Sequence, residues 1–317
     1  MSRNWSRRAM LLAACAASLL LAACGSGTIE SQLAPTRIVV FGDAFADLGQ
    51  SGSRYTVNDA TANNWTEKVA LDFGVPLTAA SRGGKSYATA HARVVAKPDD
   101  VGNNATPTVK EQIDRFMASD AIGANDLYIL NAGTSDLIAE GARFAAGGQT
   151  ADQLVANSRQ AGRDLATQVR RLVNAGAKFV VVVGPYNLGR SPWGQTGSAL
   201  ASALENGSGR FNDDMLIALV DLGDRVLYVD AALQFNLMIS NPTGYEMTDA
   251  LKPVCTSVDP GPGIGIGAGQ VNSARCTPTT VIDPVYNNYL FADKVYPTPR
   301  GHFKFGEYAS GRIRARW

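Results

Sequence analysis

The chain has 317 residues, of which 45% are hydrophobic and 18% are charged, and its formal net charge is +1 at pH 7. This balance, with no run of basic residues, excludes the usual signature of a nucleic-acid-binding protein. The length fits one large domain or two small ones, and we expect one because no composition shift divides the chain beyond its first segment. We expect no cofactor and no metal, since the two histidines, His91 and His302, lack a zinc-binding spacing.

Residues 1–24 are typical of an export signal. Three arginines within the first eight residues precede an apolar stretch that is too short to span a bilayer comfortably. Its end, Leu-Ala-Ala-Cys-Gly, resembles a bacterial lipobox, which implies that Cys24 carries lipid and becomes the mature N-terminus. By the same resemblance Gly25 favours the outer membrane over the inner one, while an ordinary cleaved signal peptide is the alternative. Residues 25–35 are small and polar, which predicts a tether.

The first element of the remaining domain, residues 36–317, is predicted to be a strand. Four apolar residues at 38–41 run directly into a glycine and Asp43, a pattern typical of a buried parallel strand. In open α/β sheets, ligands bind in the crevice outside the carboxyl ends of the strands. We therefore expect Asp43, Ala44 and Asp47 to lie at the functional site.

The exit from this strand resembles the first sequence block of the GDSL (SGNH) ester hydrolases through Gly42, Asp43, Phe45, Asp47 and Gly49. The resemblance implies a three-layer α/β/α, flavodoxin-like fold with a parallel sheet flanked by helices. It also implies acyl transfer, in which a serine attacks, a histidine takes its proton, an aspartate orients the histidine, and N–H groups hold the oxyanion. The nucleophile position is Ala44 here, and its methyl group cannot attack a carbonyl.

Two helices are predicted next, over residues 63–73 and 108–118. Between them, residues 81–96 resemble the second block of the family. Ala90 and His91 stand where the family has glycines, one of which offers its backbone N–H to the oxyanion. A donor at Ala90 requires a backbone conformation that is open to a residue with a Cβ atom. The alternative for His91 is a residue at the surface or behind the site.

Residues 127–131 form the next predicted strand, and the turn after it resembles the third family block, Gly-x-Asn-Asp. Gly133 and Asp136 match this block, while Ser135 replaces the Asn whose side chain donates to the oxyanion. A serine hydroxyl can still donate, although with a shorter reach. Alternatively, Thr134 or Ser135 is the N-cap of the following helix, and both roles could hold at once.

The later elements continue the alternation of helices and strands, which independently predicts a parallel sheet with helices on both faces. They are a helix over 152–175, a strand over 179–183, a helix over 195–222 with a break around 206–207, a strand over 226–229 and a helix over 231–239.

Two cysteines, Cys255 and Cys276, remain after the export signal and the lipobox. In an exported protein an oxidised pair is expected, and two free buried thiols are the alternative. The segment between them is rich in Gly and Pro and shows no helical or strand period.

Residues 289–302 resemble the last block of the family, Asp-x-x-His-Pro-Thr-x-x-Gly-His. Asp293 matches the catalytic aspartate, and His302 matches the final histidine of the block. Tyr296 occupies the position of the catalytic histidine. A tyrosine with its ordinary pKa of about 10 is a poor general base at neutral pH.

The resemblance therefore implies a hydrolase for ester bonds, weak or inactive because of Ala44, Ser135 and Tyr296. We expect a lipid-anchored monomer of the cell envelope with a small-molecule or acyl ester ligand. Three alternatives are open: a rearranged site in which His302 is the base and Ser135 or Ser86 attacks, a pseudo-hydrolase that binds an acyl or glycan ligand, and an altered residue 44 in an otherwise active enzyme. A purely structural lipoprotein is a further possibility.

Overall fold

Four parallel strands form the centre of the part of the chain that the computed structural model describes, residues 33–61 and 64–317. They lie side by side in chain order, and their side chains are buried on both faces, as expected for a parallel sheet. The strands are β1 (Arg37–Gly42), β2 (Asp126–Asn131), β3 (Phe179–Val183) and β4 (Val226–Tyr228).

Helices cover both faces of this sheet. They are α1 (Trp65–Asp72), α2 (Val109–Ser119), α3 (Thr134–Ala145), α4 (Ala151–Asn174), α5 (Ser198–Ala218), α6 (Ala231–Ser240) and α7 (Pro299–Arg316). One hydrophobic core contains Ile38 and Val40 of β1 with residues of α1, α6 and α7. The other contains Val39 and Phe41 with residues of α2 and α4, because successive side chains of a strand point to opposite faces. The predicted three-layer α/β/α, flavodoxin-like architecture is confirmed.

Capping boxes fix where three of these helices begin. Asn64, Thr108 and Thr150 stand before α1, α2 and α4, and each side chain accepts a backbone N–H of the first turn. A Glu or Gln in that turn bonds back to the N–H of the cap residue. Each such cap contributes about 1 kcal/mol, which explains why these helix starts follow the sequence pattern closely.

The long helix predicted over residues 195–222 is shorter and has no break. Gly207 lies inside α5, at the surface that packs against α3 and α4. A Cβ atom at Gly207 would lie 2.7 Å from the side chain of Leu154 and 3.0 Å from that of Leu137. The prediction of a break was wrong, because this glycine permits close packing between helices at an intrinsic cost of about 1 kcal/mol.

The predicted disulfide joins Cys255 and Cys276, which are buried in a small core of their own. The segment between them, whose sequence shows no helical or strand period, contains a short antiparallel pair, β5 (Val258–Asp259) and β6 (Gln270–Val271). The backbone N–H of Cys255 donates to the carbonyl of Ala292, so the segment is tied to the loop that precedes α7.

Replacing both cysteines, Cys255→Ala with Cys276→Ala, is expected to lower the free energy of unfolding by about 3 kcal/mol. The reason is the chain entropy regained by an unfolded loop whose ends are 21 residues apart. Urea unfolding of the two proteins without reductant measures the difference. Equal transition midpoints with equal slopes would contradict the expectation.

The predicted signal segment, with Cys24, lies outside the described residues. Residues 33–35, the end of the predicted tether, are described, and Leu33 and Pro35 are buried against the domain. A domain start at residue 36 is therefore slightly too late. None of the helices in the described ranges is long and apolar enough to cross a membrane.

Candidate active site

Asp43 joins the ends of β1 and β2. Its Oδ2 accepts the backbone N–H groups of Thr134 at 2.9 Å and Ser135 at 3.4 Å, in the first turn of α3, and its Oδ1 accepts the N–H of Phe45 at 3.1 Å. The helix dipole favours a negative charge at this place. Complete burial nevertheless raises the pKa of Asp43 to about 7. Asp43 is thus a cap that fixes two strand ends of the site relative to each other.

The start of α3 differs from the sequence prediction. Its N-cap residue is Gly133, which has a φ of 114° and no capping side chain. The prediction of Thr134 or Ser135 as the cap was wrong, because the carboxylate of Asp43 arrives from the neighbouring strand. A Cβ atom at Gly133 would lie 2.6 Å from the ring of Phe211, so the position requires glycine for space as well as for φ.

Ala44 occupies the nucleophile position of the family pattern, in the tight turn after β1. Its exposed fraction is only 1%. The methyl group has no lone pair and no proton to transfer, so it cannot attack a carbonyl carbon. This position therefore lacks both a nucleophile and an open approach from solvent.

Asp47 holds the turn that corresponds to the second family block. Its Oδ2 accepts the N–H of Ala90 at 2.9 Å, and its Oδ1 accepts those of Gly49 and Gln50 at 2.8 and 2.9 Å. Burial raises the pKa of Asp47 to about 6 despite these bonds. Because the N–H of Ala90 is committed to this carboxylate, it is not free for an oxyanion, contrary to the expectation for Ala90.

Asp293 shapes the turn that precedes α7. Its Oδ1 accepts the N–H groups of Val295 at 2.8 Å and Tyr296 at 2.7 Å, and its Oδ2 accepts the N–H of Ser273 at 3.1 Å. Burial raises the pKa of Asp293, and these hydrogen bonds oppose that rise. The carboxylate lies three residues before position 296, and its bond to that backbone keeps the two positions together.

Tyr296 is fully buried, and its hydroxyl makes no hydrogen bond to the described part of the chain. Burial raises the pKa of Tyr296 well above its usual value, and the carboxylates of Asp100 and Asp43 raise it further. The carboxylate of Asp43 thus lies near enough to Tyr296 to contribute to this rise in pKa. A phenol that stays protonated at neutral pH cannot act as the general base.

His302 lies in the first turns of α7, on the buried side of that helix. Its ring centroid is 5.3 Å from that of Phe45, and its exposed fraction is 1%. Burial lowers the pKa of His302 to about 3, with an opposing contribution from the backbone of Tyr55. An imidazole of such low basicity is a weak proton acceptor, which argues against His302 as a substitute base.

The two serines considered as substitute nucleophiles are also buried. Ser86 pairs with Val40 beside β1, and Ser135 lies in the first turn of α3. Neither hydroxyl has a hydrogen bond within the described residues. The Ser135 hydroxyl does lie near enough to the buried Asp100 to favour its charged form. Neither serine is paired with an imidazole, so neither is activated for attack.

Sequence reasoning missed the imidazole–carboxylate pair of this region. The Nδ1 of His91 lies 2.5 Å from Oδ1 of Asp100, and its Nε2 lies 2.6 Å from the hydroxyl of Tyr55. His91 has a φ of 66°, a left-handed conformation that is uncommon outside glycine. The one sequence signal for this pair was His91 itself, which stands where the family has a glycine. Tyr55 and Asp100 gave no signal, because they belong to irregular loops without a motif.

An open pocket of about 390 Å³ lies at this pair. Its wall on one side is Tyr55, whose ring packs edge to face on Tyr296 with centroids 4.9 Å apart. The accessible cavity is therefore lined by residues next to the family centre rather than by Ala44 itself. Among its lining residues are Asp47, Tyr55, Ala90, His91, Asp259 and Arg275.

A three-layer α/β/α sandwich with polar side chains at the carboxyl ends of its parallel strands places these residues where ligands bind in open α/β folds. The GDSL-like lipase/acylhydrolase family matches residues 38–309, and the chain belongs to this family. The resemblance noted from the sequence blocks is confirmed.

Two curated relatives show how far the similarity extends. Lipase 1 of Photorhabdus luminescens is 24% identical over 356 aligned positions, which cover 90% of this chain and 51% of that protein. A Pseudomonas putida protein, described as uncharacterized and from the trpE-trpG intergenic region, is 24% identical over 338 positions, covering 98% of this chain and 54% of that protein. The chain thus spans about half the length of the curated relatives it matches.

Solved structures similar to this chain include two at 12% identity. A member of the lipolytic G-D-S-L family from Veillonella parvula has a TM-score of 0.45, with 86% of this chain and 95% of that chain covered. A protein from Lactobacillus plantarum has a TM-score of 0.48, with 90% and 100% covered.

Proposed function

We propose that the protein is an ester-hydrolase homologue that binds a small acyl ester at the carboxyl ends of its strands and hydrolyses it slowly. The observation that carries the proposal is Ala44: the family turn, its capping aspartate and its glycine are in place around a position without a nucleophile. Hydrolases that lose a triad member can retain about 10³- to 10⁴-fold acceleration from binding and oxyanion stabilisation. Here the N–H of Ala90 is bonded to Asp47, so a smaller acceleration is expected. Slow turnover is therefore expected rather than the rate of an intact enzyme.

The missing base supports the same proposal. Tyr296, in the histidine position, is a protonated phenol, and His302 is a weakly basic imidazole in the core. As long as residue 44 is alanine, a stronger base at position 296 or 302 would have no hydroxyl to activate. The two losses are therefore coupled, and the family chemistry requires both to be reversed.

A second candidate function is binding of the ester or acyl ligand without hydrolysis. The observation that favours it is the open pocket beside a closed centre, since the pocket is accessible while Ala44 is 1% exposed. A ligand in this pocket would contact Tyr55 and His91, and Ala44 is not among the residues that line it.

Steady-state hydrolysis of p-nitrophenyl butyrate by the purified full chain distinguishes the two functions. We expect a rate above that of an equal concentration of heat-unfolded protein, with saturation by substrate. Saturable binding of the uncleaved ester, measured by calorimetry, with no turnover would leave only the ligand-binding function. Neither turnover nor binding would contradict both.

We further propose that the protein is an exported lipoprotein of the cell envelope that is anchored through Cys24. We propose the outer membrane rather than the inner one as its location, and a monomer as its oligomeric state. The support is the lipobox-like end of the first segment. Anchoring by several acyl chains holds a protein firmly, whereas a single chain is marginal.

Cys24→Ser is expected to move the protein from the membrane fraction to the soluble fraction of the envelope, because the substitution removes the thiol that receives the lipid. Immunoblots of fractionated cells that produce the full chain measure the distribution. Cys15→Ser is the matched control, since it removes a cysteine of the same first segment that lies outside the lipobox-like end. An unchanged membrane fraction for Cys24→Ser would contradict the anchor.

A further inference from the structure

Tyr55, His91 and Asp100 form a continuous row of hydrogen bonds at the open pocket. The Tyr55 hydroxyl is 2.6 Å from Nε2 of His91, and Nδ1 of His91 is 2.5 Å from Oδ1 of Asp100. Hydroxyl, imidazole and carboxylate are connected in the same order in hydrolytic triads. When the carboxylate accepts Nδ1–H, the lone pair of Nε2 is directed at the phenol.

The row is mostly buried: Tyr55 is 7% exposed, and His91 is only partly accessible. Asp100, at one end, has a side chain with no exposed surface, whereas the side chain of His91 is 15% exposed. Tyr55 and His91 both line the pocket, so the hydroxyl end borders the cavity. His91 is held at a φ of 66°, and backbone conformations of this kind concentrate at functional sites.

We propose that Tyr55 is the nucleophile of a second acyl-transfer centre, in which His91 is the general base and Asp100 positions the imidazole. The inference rests on the proposed function, because it assigns the slow ester hydrolysis of this chain to these residues instead of to position 44.

The chemistry of this centre balances without any added oxidant or cofactor. The Tyr55 oxygen attacks the ester carbonyl carbon while its proton moves to Nε2 of His91. The bond from carbon to the leaving oxygen breaks, and the imidazolium returns the proton to that oxygen. Water then attacks the aryl ester on Tyr55, giving its proton to His91, and the released phenolate is reprotonated as the acid leaves.

The nucleophile and the pocket charges define the substrate class. Burial and the carboxylate of Asp100 raise the pKa of Tyr55, so the phenol depends on His91 to take its proton as it attacks. Acyl transfer to Tyr55 therefore requires an activated donor, an aryl ester or a thioester, rather than an alkyl ester. Asp47, Asp99 and Asp259 line the pocket against one arginine, Arg275. This balance disfavours an anionic acyl group, so the substrate is a small, uncharged acyl group on an acidic leaving group.

The test uses the full chain with p-nitrophenyl acetate and ethyl acetate, and follows both turnover and acetylation by peptide mass mapping. We expect hydrolysis of the aryl ester only, with one acetyl group trapped on Tyr55 by rapid acid quenching. Tyr55→Phe should remove the adduct, and His91→Gln should lower the rate by about 10²-fold or more. Tyr289→Phe, which removes a phenol hydroxyl outside the pocket, is the matched control and should leave the rate unchanged.

Asp100→Asn tests the positioning role through a pH profile. Loss of the carboxylate should lower the pKa of His91, so the midpoint of kcat/KM should move to lower pH, while Asp47, Asp99 and Tyr55 still face the imidazole. An unmoved midpoint would contradict this role.

The outcomes separate the inference from the function on which it rests. No hydrolysis of either ester by the folded chain would overturn the proposed function and this inference together. Aryl ester hydrolysis that survives both Tyr55→Phe and His91→Gln, or an acetyl group found elsewhere, would overturn this inference alone. Circular dichroism of each variant verifies that it is folded, and trapping on the unmodified chain decides the question even if a variant fails to fold.

Discussion

Combining Ala44→Ser with Tyr296→His is expected to raise the hydrolysis of p-nitrophenyl butyrate by about 10²- to 10⁴-fold, the range of a positioned general base acting on a hydroxyl nucleophile. Ala44→Ser alone should give little gain, because Tyr296 stays protonated and His302 is too weakly basic. Initial rates of the single and double variants measure the effect.

Two controls accompany this prediction. Ala44→Ser with Tyr289→His carries the same kinds of substitution, but places the imidazole away from the strand ends, and should show no gain. Adding Asp293→Asn to the double variant should remove most of the gain, because the introduced imidazole loses its orienting carboxylate. A full gain from Ala44→Ser alone would show that another base already serves position 44.

The second large effect is acid destabilisation through His302. Burial lowers the pKa of the folded-state imidazole to about 3, whereas the unfolded-state value is about 6.5. The unfolded state therefore binds a proton first as pH falls, so stability is lost on acidification from about pH 6.5 towards pH 3. Between pH 7 and pH 4 this linkage amounts to about 3 kcal/mol. The neighbours of the ring are Phe45, the Tyr55 backbone and, at longer range, Arg54.

Urea unfolding of the unmodified protein and of His302→Gln at pH 7 and pH 4 isolates this contribution from the buried carboxylates, which are common to both. We expect the stability difference between the two proteins to move in favour of the variant by about 3 kcal/mol at pH 4. His91→Gln is the matched control, for which we expect the opposite sign. Burial lowers the pKa of His91, but the carboxylate of Asp100 outweighs burial, so the net pKa is raised. The stability that His91 contributes is therefore present at low pH and lost as pH rises. A difference for His302→Gln that is independent of pH would contradict the assignment.

The sheet and most helices followed from the sequence because their signals are local. The apolar run before Asp43 and the helical patterns over residues 63–73 and 108–118 are contained in a few neighbouring residues, and the structure confirms the strand and both helices. The break expected near Gly207 was wrong because the requirement for that glycine is not local. A larger residue there would collide with Leu154, which lies on another helix.

The site was less predictable because its parts come from distant places in the chain. The cap of α3 is Asp43, which lies 91 residues before the N–H it binds at Thr134. Family blocks gave the positions of Ala44 and Tyr296, but not that both are buried. The hydrogen bonds from His91 to Tyr55 and Asp100 join two irregular loops, for which neither period nor spacing provides a signal.

Labelling with a fluorophosphonate probe, which reacts covalently with activated serine hydroxyls, is the most direct test of the central claim. That claim is that the protein has no activated serine at the nucleophile position of the family or elsewhere. The unmodified protein should carry no label on any serine, whereas Ala44→Ser with Tyr296→His should be labelled, with the modified peptide mapping to residue 44. Serine labelling of the unmodified folded protein, at Ser86, Ser135 or elsewhere, would contradict the account, because an activated serine would then exist that the structure does not provide.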